Sequence, residues 1–160
     1  MSDRFTVIKD TREKAGQGWW YDEDEYCLGT VQTKVEYGDY VIEGLEDKFT
    51  IERKASVSEI ATNIHEARFK RELKVLEKFP HKLILLEFDW YDIMRFPEGS
   101  DIPIAKQSKI KVRGNYIMSF LAEIQLEYGI PVIAASNRHI AEKIAYTHLK
   151  KVYKKYETSI

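Results

Sequence analysis

The run Leu83-Ile84-Leu85-Leu86 does most to narrow what this chain can become, because it is uninterrupted by any polar residue. Such a strand has both faces covered and sits centrally in a sheet flanked by helices. Ile130 to Ala135 reads as a second buried strand. Phe5 to Lys9 is a short strand of β-forming residues, and it ends in the charged cluster Asp10-Thr11-Arg12-Glu13. Lys14 to Gly29, with Gly16 and Gly18 near its start and an acidic stretch from Asp22 to Glu25, reads as a surface loop. Thr30 to Tyr37 alternates Val31, Thr33, Val35 and Tyr37 against Gln32, Lys34 and Glu36, the period of a half-buried strand, and Gly38-Asp39 breaks it. Tyr40 to Ile42 and Phe49 to Ile51 form the arms of a hairpin. Glu52-Arg53-Lys54 closes the second arm and returns Glu52 towards Asp39.

Helical signals follow. Ser56 or Ser58 is an N-cap for two helices that meet near His65 and stop at Pro80. Asp89 to Gly114 has no clear period and reads as a long connection. Asn115 to Tyr128 is helical, with Gly129 as its stop. A last helix runs from Ser136 or Asn137 to about Tyr156, with Ile140, Ile144, His148 and Val152 or Tyr153 on one face. Strands first, then strands and helices in alternation, predict an α/β fold: a mixed central sheet flanked by helices on both faces. At 160 residues, 44% hydrophobic and 32% charged, one domain over 1–160 is expected.

Composition excludes several functions. With 25 basic and 26 acidic side chains the net charge is -1, so nucleic acid has to be held by a local patch or through metal. Cys27 is the only cysteine, which rules out an internal disulfide and a multi-cysteine zinc site and fits a reducing, intracellular setting. No window approaches the ~20 apolar residues of a membrane span, so a chain that is neither membrane-bound nor secreted is expected.

The chemistry gathers at strand ends. Residues two apart in a strand share a face, so Glu52 and Lys54 project together while Arg53 faces away. Carboxylates converging from Asp10, Asp39 and Glu52 make an oxygen-rich site suited to Mg²⁺ or Mn²⁺. In a metal-assisted hydrolysis, Asp39 and Glu52 hold the ion on a scissile phosphate, and Lys54 orients or helps deprotonate the attacking water. Asp10 binds a second ion or orders water. The bland alternative is a same-face ion pair between Glu52 and Lys54 on an exposed strand, worth at most ~1 kcal/mol.

Val7-Ile8-Lys9-Asp10-Thr11-Arg12-Glu13, then Gly38-Asp39-Tyr40, then Ile51-Glu52-Arg53-Lys54, in this order, resemble the motifs of the XPF-type nuclease domain. Arg68-Phe69 with Glu72-Leu73, and Lys82 to Phe88 followed by Asp89, resemble its following helix and central strand, so the likeness extends from about Phe5 to Lys154. The resemblance implies a restriction-endonuclease-like core, a divalent metal and endonucleolytic cleavage of branched, flapped or forked DNA in repair, recombination or replication. It makes Asp39 and Glu52 metal ligands, with the Arg53 carbonyl a third, and Lys54 and Asp10 the remaining catalytic groups. Arg12, Glu13 and Arg53 support the site or contact phosphate. The family pattern has an aspartate four residues after the lysine, where this chain has Ser58; either Glu59 substitutes through a one-residue shift or that carboxylate is missing. Many relatives append paired helix-hairpin-helix elements, for which no sequence remains after Ile160. Grip on DNA is then expected from the domain's own surface, a second copy or a targeting partner protein.

For that grip, Arg68 and Arg71 lie at helical spacing with Lys74 or Lys78, and Lys106, Lys109, Lys111 and Arg113 crowd the end of the long connection. Trp19, Trp20, Tyr21 and Tyr26 either stack on unpaired bases or anchor the loop. The apolar face from Ile140 to Tyr153 is either a homodimer interface through the C-terminal helices, as in similar domains, or cover for the chain's own sheet. A catalytically weak or inactive member, serving as a DNA-binding or heterodimer partner, is the alternative to an active enzyme.

Overall fold

The computed structural model describes residues 3–14 and 16–158. Six strands, β1 (Phe5–Lys9), β2 (Cys27–Gln32), β3 (Tyr40–Ile42), β4 (Phe49–Lys54), β5 (His81–Leu86) and β6 (Val132–Ala134), form one sheet. Their spatial order is β2-β1-β3-β4-β5-β6. The sheet is mixed: β1 pairs antiparallel with β3, and β3 with β4, while β2, β5 and β6 join by parallel pairing. The helices are α1 (Val57–Asn63), α2 (Ala67–Glu77), α3 (Trp90–Met94), α4 (Ile104–Gln107), α5 (Gly114–Tyr128) and α6 (Arg138–Glu157). The α/β architecture with helices on both faces is a restriction-endonuclease-like fold.

Strand alternation builds two large cores, beside a small cluster of Ile8, Val35 and Val41. Phe5, Val7, Phe49, Ile51, Leu83 and Leu85 point to one face, where they meet Ala141, Ala145, Leu149, Val152 and Tyr153 of α6. Ile84, Leu86 and Phe88 point to the other, where they meet Ile60 of α1, Phe69 and Leu73 of α2, Ile93 of α3 and Ile117, Phe120 and Ile124 of α5. Leu83–Leu86 is thus covered on both sides, as its composition demands. Asn137 caps α6 by accepting the Ile140 N–H at 2.9 Å, and Gly129 ends α5 at φ 62°.

The sequence reading is corrected at four places. The second strand is Cys27–Gln32, not 30–37. After Gln32 the Asp10 carboxylate captures the backbone instead of a neighbouring strand, accepting the Val35 N–H at 2.9 Å while Arg12 donates to the Val35 carbonyl at 3.1 Å. The 14–29 segment is no mere surface loop, because Trp19, Tyr21 and Cys27 are core residues. The long connection holds α3 and α4, too short to show a helical period. The buried stripe of α6 is offset by one residue from the expected face: Ala141, Ala145 and Leu149 are buried, and Ile140 is 40% exposed. The small alanines let the helix lie close to the sheet, so this stripe is core.

Gly38 fixes the turn that delivers Asp39. Its φ is 86°, and a Cβ there would overlap the Thr50 hydroxyl and crowd the Ile51 carbonyl at 3.2 Å. Gly38→Ala is expected to destabilise the fold by about 1–3 kcal/mol. Equilibrium urea unfolding measures this directly, and an unchanged midpoint would contradict it.

Candidate active site

The antiparallel step from β3 to β4 brings the two motif segments together. The Asp39 N–H donates to the Ile51 carbonyl at 2.8 Å, and Asp39 Oδ2 accepts the Arg53 N–H at 2.7 Å. Asp39 is therefore held by the backbone of the strand that carries Glu52 and Lys54. Glu52 and Lys54 share one face, with Lys54 Nζ 3.3 Å from Glu52 Oε1. Lys54 Nζ also lies 3.6 Å from Glu59 Oε1 and over the Phe69 ring, 4.5 Å from its centroid. Glu59 belongs to the first turn of α1, where the Ser56 cap accepts its N–H at 3.3 Å. Ser58 instead donates to Asp101. The one-residue shift thus brings the Glu59 carboxylate to the lysine.

These groups line a cavity of about 520 Å³. Its wall carries seven carboxylates, those of Glu13, Glu36, Asp39, Glu52, Glu59, Glu66 and Glu72, against three cations, Arg12, Lys54 and Arg68. Burial, then repulsion from Glu52 and Glu13, pushes the Asp39 carboxyl well above the ordinary aspartate range. Burial also raises Glu52, opposed by Lys54 and reinforced by Glu72. Burial lowers Lys54, but Glu52, Glu59 and Asp39 outweigh it, and the ammonium is held more firmly protonated than usual. A surplus of crowded, ionisable oxygens calls for a hard cation. Among the described residues no three His, Cys, Asp or Glu side chains form a ready-made cluster. Two carboxylates completed by water and substrate oxygens still suit an ion such as Mg²⁺, which keeps much of its hydration.

Other predicted residues fall elsewhere. Asp10 is fully buried and does not line the cavity; its oxygens accept from Arg12 Nε and the Val35 N–H. Its carboxylate braces Arg12, which does reach the cavity, and the 33–37 segment. Arg53 points behind the sheet, 10% exposed, and donates to Glu13 Oε2 at 2.9 Å and to Glu87 at 2.9 and 3.0 Å, so its guanidinium is not offered to phosphate. Glu87 was missed by the sequence reading, although a charge closing a buried apolar run was its signal. Arg68 lines the cavity and is exposed, whereas Arg71 is exposed outside it. Lys106, Lys109, Lys111 and Arg113 are all exposed, and Lys109 and Lys111 line an adjoining hollow that shares Thr62 with the cavity. Trp19 is buried and Tyr21 donates to the Glu142 carbonyl at 2.7 Å, both loop anchors; Trp20 and Tyr26 remain 49% and 40% exposed.

The model of the ERCC4 domain matches residues 10–147, a span that contains Asp10, Asp39, Glu52 and Lys54. The chain belongs to the ERCC4 domain family. The ERCC4 domain here is similar in fold to XPF from Aeropyrum pernix, with a TM-score of 0.64 at 16% identity, covering 96% of this chain and 68% of that one. The same protein in complex with DNA matches with a TM-score of 0.62 at 18% identity, covering 95% of this chain and 66% of that one. The ERCC4 domain here thus spans about two thirds of the length of those chains. No curated protein sequence matches it. Among the described residues no helix is long and apolar enough to cross a membrane.

Proposed function

We propose that this domain is a divalent-metal-dependent DNA endonuclease, hydrolysing phosphodiester bonds in branched, flapped or forked DNA. The observation that carries the reading is the pairing of Asp39 and Glu52 in an acidic cavity with Lys54 beside them. Asp39 and Glu52 are the residues that would hold the ion, with the Arg53 carbonyl beside them. When bound, Mg²⁺ or Mn²⁺ supplies Lewis-acid charge at the scissile phosphate. Lys54, held as an ammonium, orients the attacking water and donates to the phosphate rather than removing a proton. Glu52 and Glu59 keep that ammonium aimed into the cavity. Arg12 and Arg68 offer the cavity's other positive charge to the phosphate on either side, and Asp10 acts as the brace of Arg12. Lys109 and Lys111, across Thr62, extend a backbone track on the same side of the molecule, to which Lys106 and Arg113 add charge, with Arg71 further along α2. One domain, 1–160, suffices for this chemistry, and a homodimer through the C-terminal helices would use the outer side of α6 around Ile140, since its inner stripe is core.

The test is cleavage of labelled flap, fork and plain duplex DNA with Mg²⁺ or Mn²⁺, beside Asp39→Ala and Glu52→Ala. Metal-dependent cutting by the wild type alone, faster on branched substrates, is expected. Equal background from all three proteins rejects the reading. The replacement of the family aspartate by Ser58, bound to Asp101, favours a second reading as a silent DNA-binding partner. Salt-sensitive binding with no turnover would select it.

A further inference from the structure

Behind the catalytic strand lies a polar cluster that touches the cavity only through Glu13. Glu87 has the same parity as Leu83 and Leu85 and so faces α6's side of the sheet, with a side chain only 6% exposed. Its Oε2 accepts from Arg53 Nε at 3.0 Å and from the Trp19 indole N–H at 2.8 Å, and its Oε1 accepts from the second Arg53 nitrogen at 2.9 Å. The remaining arm of the guanidinium reaches Glu13, on the cavity wall. The Glu87 main-chain N–H donates to the Lys54 carbonyl at 2.9 Å. Glu87 therefore holds the side chain of residue 53 and the backbone of residue 54.

A fork-to-fork pair this desolvated contributes little net stability compared with apolar packing, but it defines geometry closely. The geometry it defines is that of Arg53, whose N–H is fixed on Asp39 and whose neighbours in the chain are Glu52 and Lys54. We infer that Glu87 is a positioning residue: through Arg53 it sets where Asp39, Glu52 and Lys54 stand relative to one another, and Trp19 locks it in place. The inference rests on the endonuclease reading for its kinetic consequence and on geometry alone for its effect on cation binding.

Glu87→Gln keeps size and the backbone bond, but a carboxamide offers one oxygen to three donors and turns an N–H₂ towards one of them. Calorimetric titration of Mn²⁺ into folded wild type and Glu87→Gln is expected to show affinity reduced about tenfold, as for partners behind a metal ligand. With DNA, kcat should fall about ten- to a hundredfold with KM within twofold, the pattern of misplaced groups rather than lost binding. Arg53→Lys should give the same loss and Trp19→Phe a smaller one, and the double variant Glu87→Gln with Arg53→Lys no more than either single. These supply the result if Glu87→Gln does not fold. Unchanged Mn²⁺ affinity in the folded variants overturns the inference. Wild type that binds Mn²⁺ without cutting DNA overturns the endonuclease reading instead, and the affinities still decide the role of Glu87. Wild type that binds no Mn²⁺ overturns both.

Discussion

Asp39→Asn should make the metal-free protein more stable at neutral pH while lowering cleavage by a factor of about 100 to 1,000. An asparagine oxygen can still accept the Arg53 N–H, so the turn is preserved. What disappears is a charge that burial and Glu52 oppose. Both carboxyls titrate higher in the folded chain than in the unfolded one, so the stability they contribute is complete below the unfolded pKa and is lost as pH rises through the folded values. The metal-free wild type therefore loses stability progressively as the pH climbs. The variant lacks one of the two groups, so its thermal midpoint should fall less between mildly acidic and neutral pH. At neutral pH it should exceed wild type by about 2–4 °C for each kcal/mol of relieved repulsion. Adding Mn²⁺ should raise the wild-type midpoint and leave the variant unmoved. A variant less stable than wild type at neutral pH, or equally protected by Mn²⁺, would contradict the electrostatic argument.

Lys54→Met should be the most damaging single change. Its side chain is 5% exposed and is the only cation within ion-pair distance of the Glu52 carboxylate among the described residues, so methionine leaves Glu52 partly buried and uncompensated. Breaking such a pair typically costs about 3–5 kcal/mol, and cleavage should vanish with the ammonium. The loss is electrostatic only if Glu52→Gln, placed on the Lys54→Met background, recovers most of the stability. Urea unfolding of the two single variants and the double variant forms the cycle. Additive effects would show that Lys54 acts through packing on Phe69 instead.

The strands that carry the site were legible because their signals are local. Leu83–Leu86 could only be a covered strand, and Glu52-x-Lys54 could only share a face once the second hairpin arm was recognised. The order of the motifs carried the family. What sequence did not give was tertiary in origin. Asp10 sits among charges that suggest a ligand, but a side chain at the end of β1 can turn either way, and only the fold reveals that the 33–37 backbone claims it. Arg53 could be sent behind the strand by alternation, yet nothing local named Glu87, thirty-four residues later, as its partner. The α6 stripe was misplaced because the larger isoleucines drew attention from Ala141 and Ala145, whose value lies in how closely they let the helix approach.

Calorimetric titration of Mn²⁺ into wild type, Asp39→Asn and Glu52→Gln tests the central claim most directly, since it reads the shared coordination without requiring turnover. One saturable site in the wild type, strengthening as pH rises and weakened at least tenfold in each variant, is the predicted result. Equal binding by all three proteins, or no binding by the wild type, would contradict it.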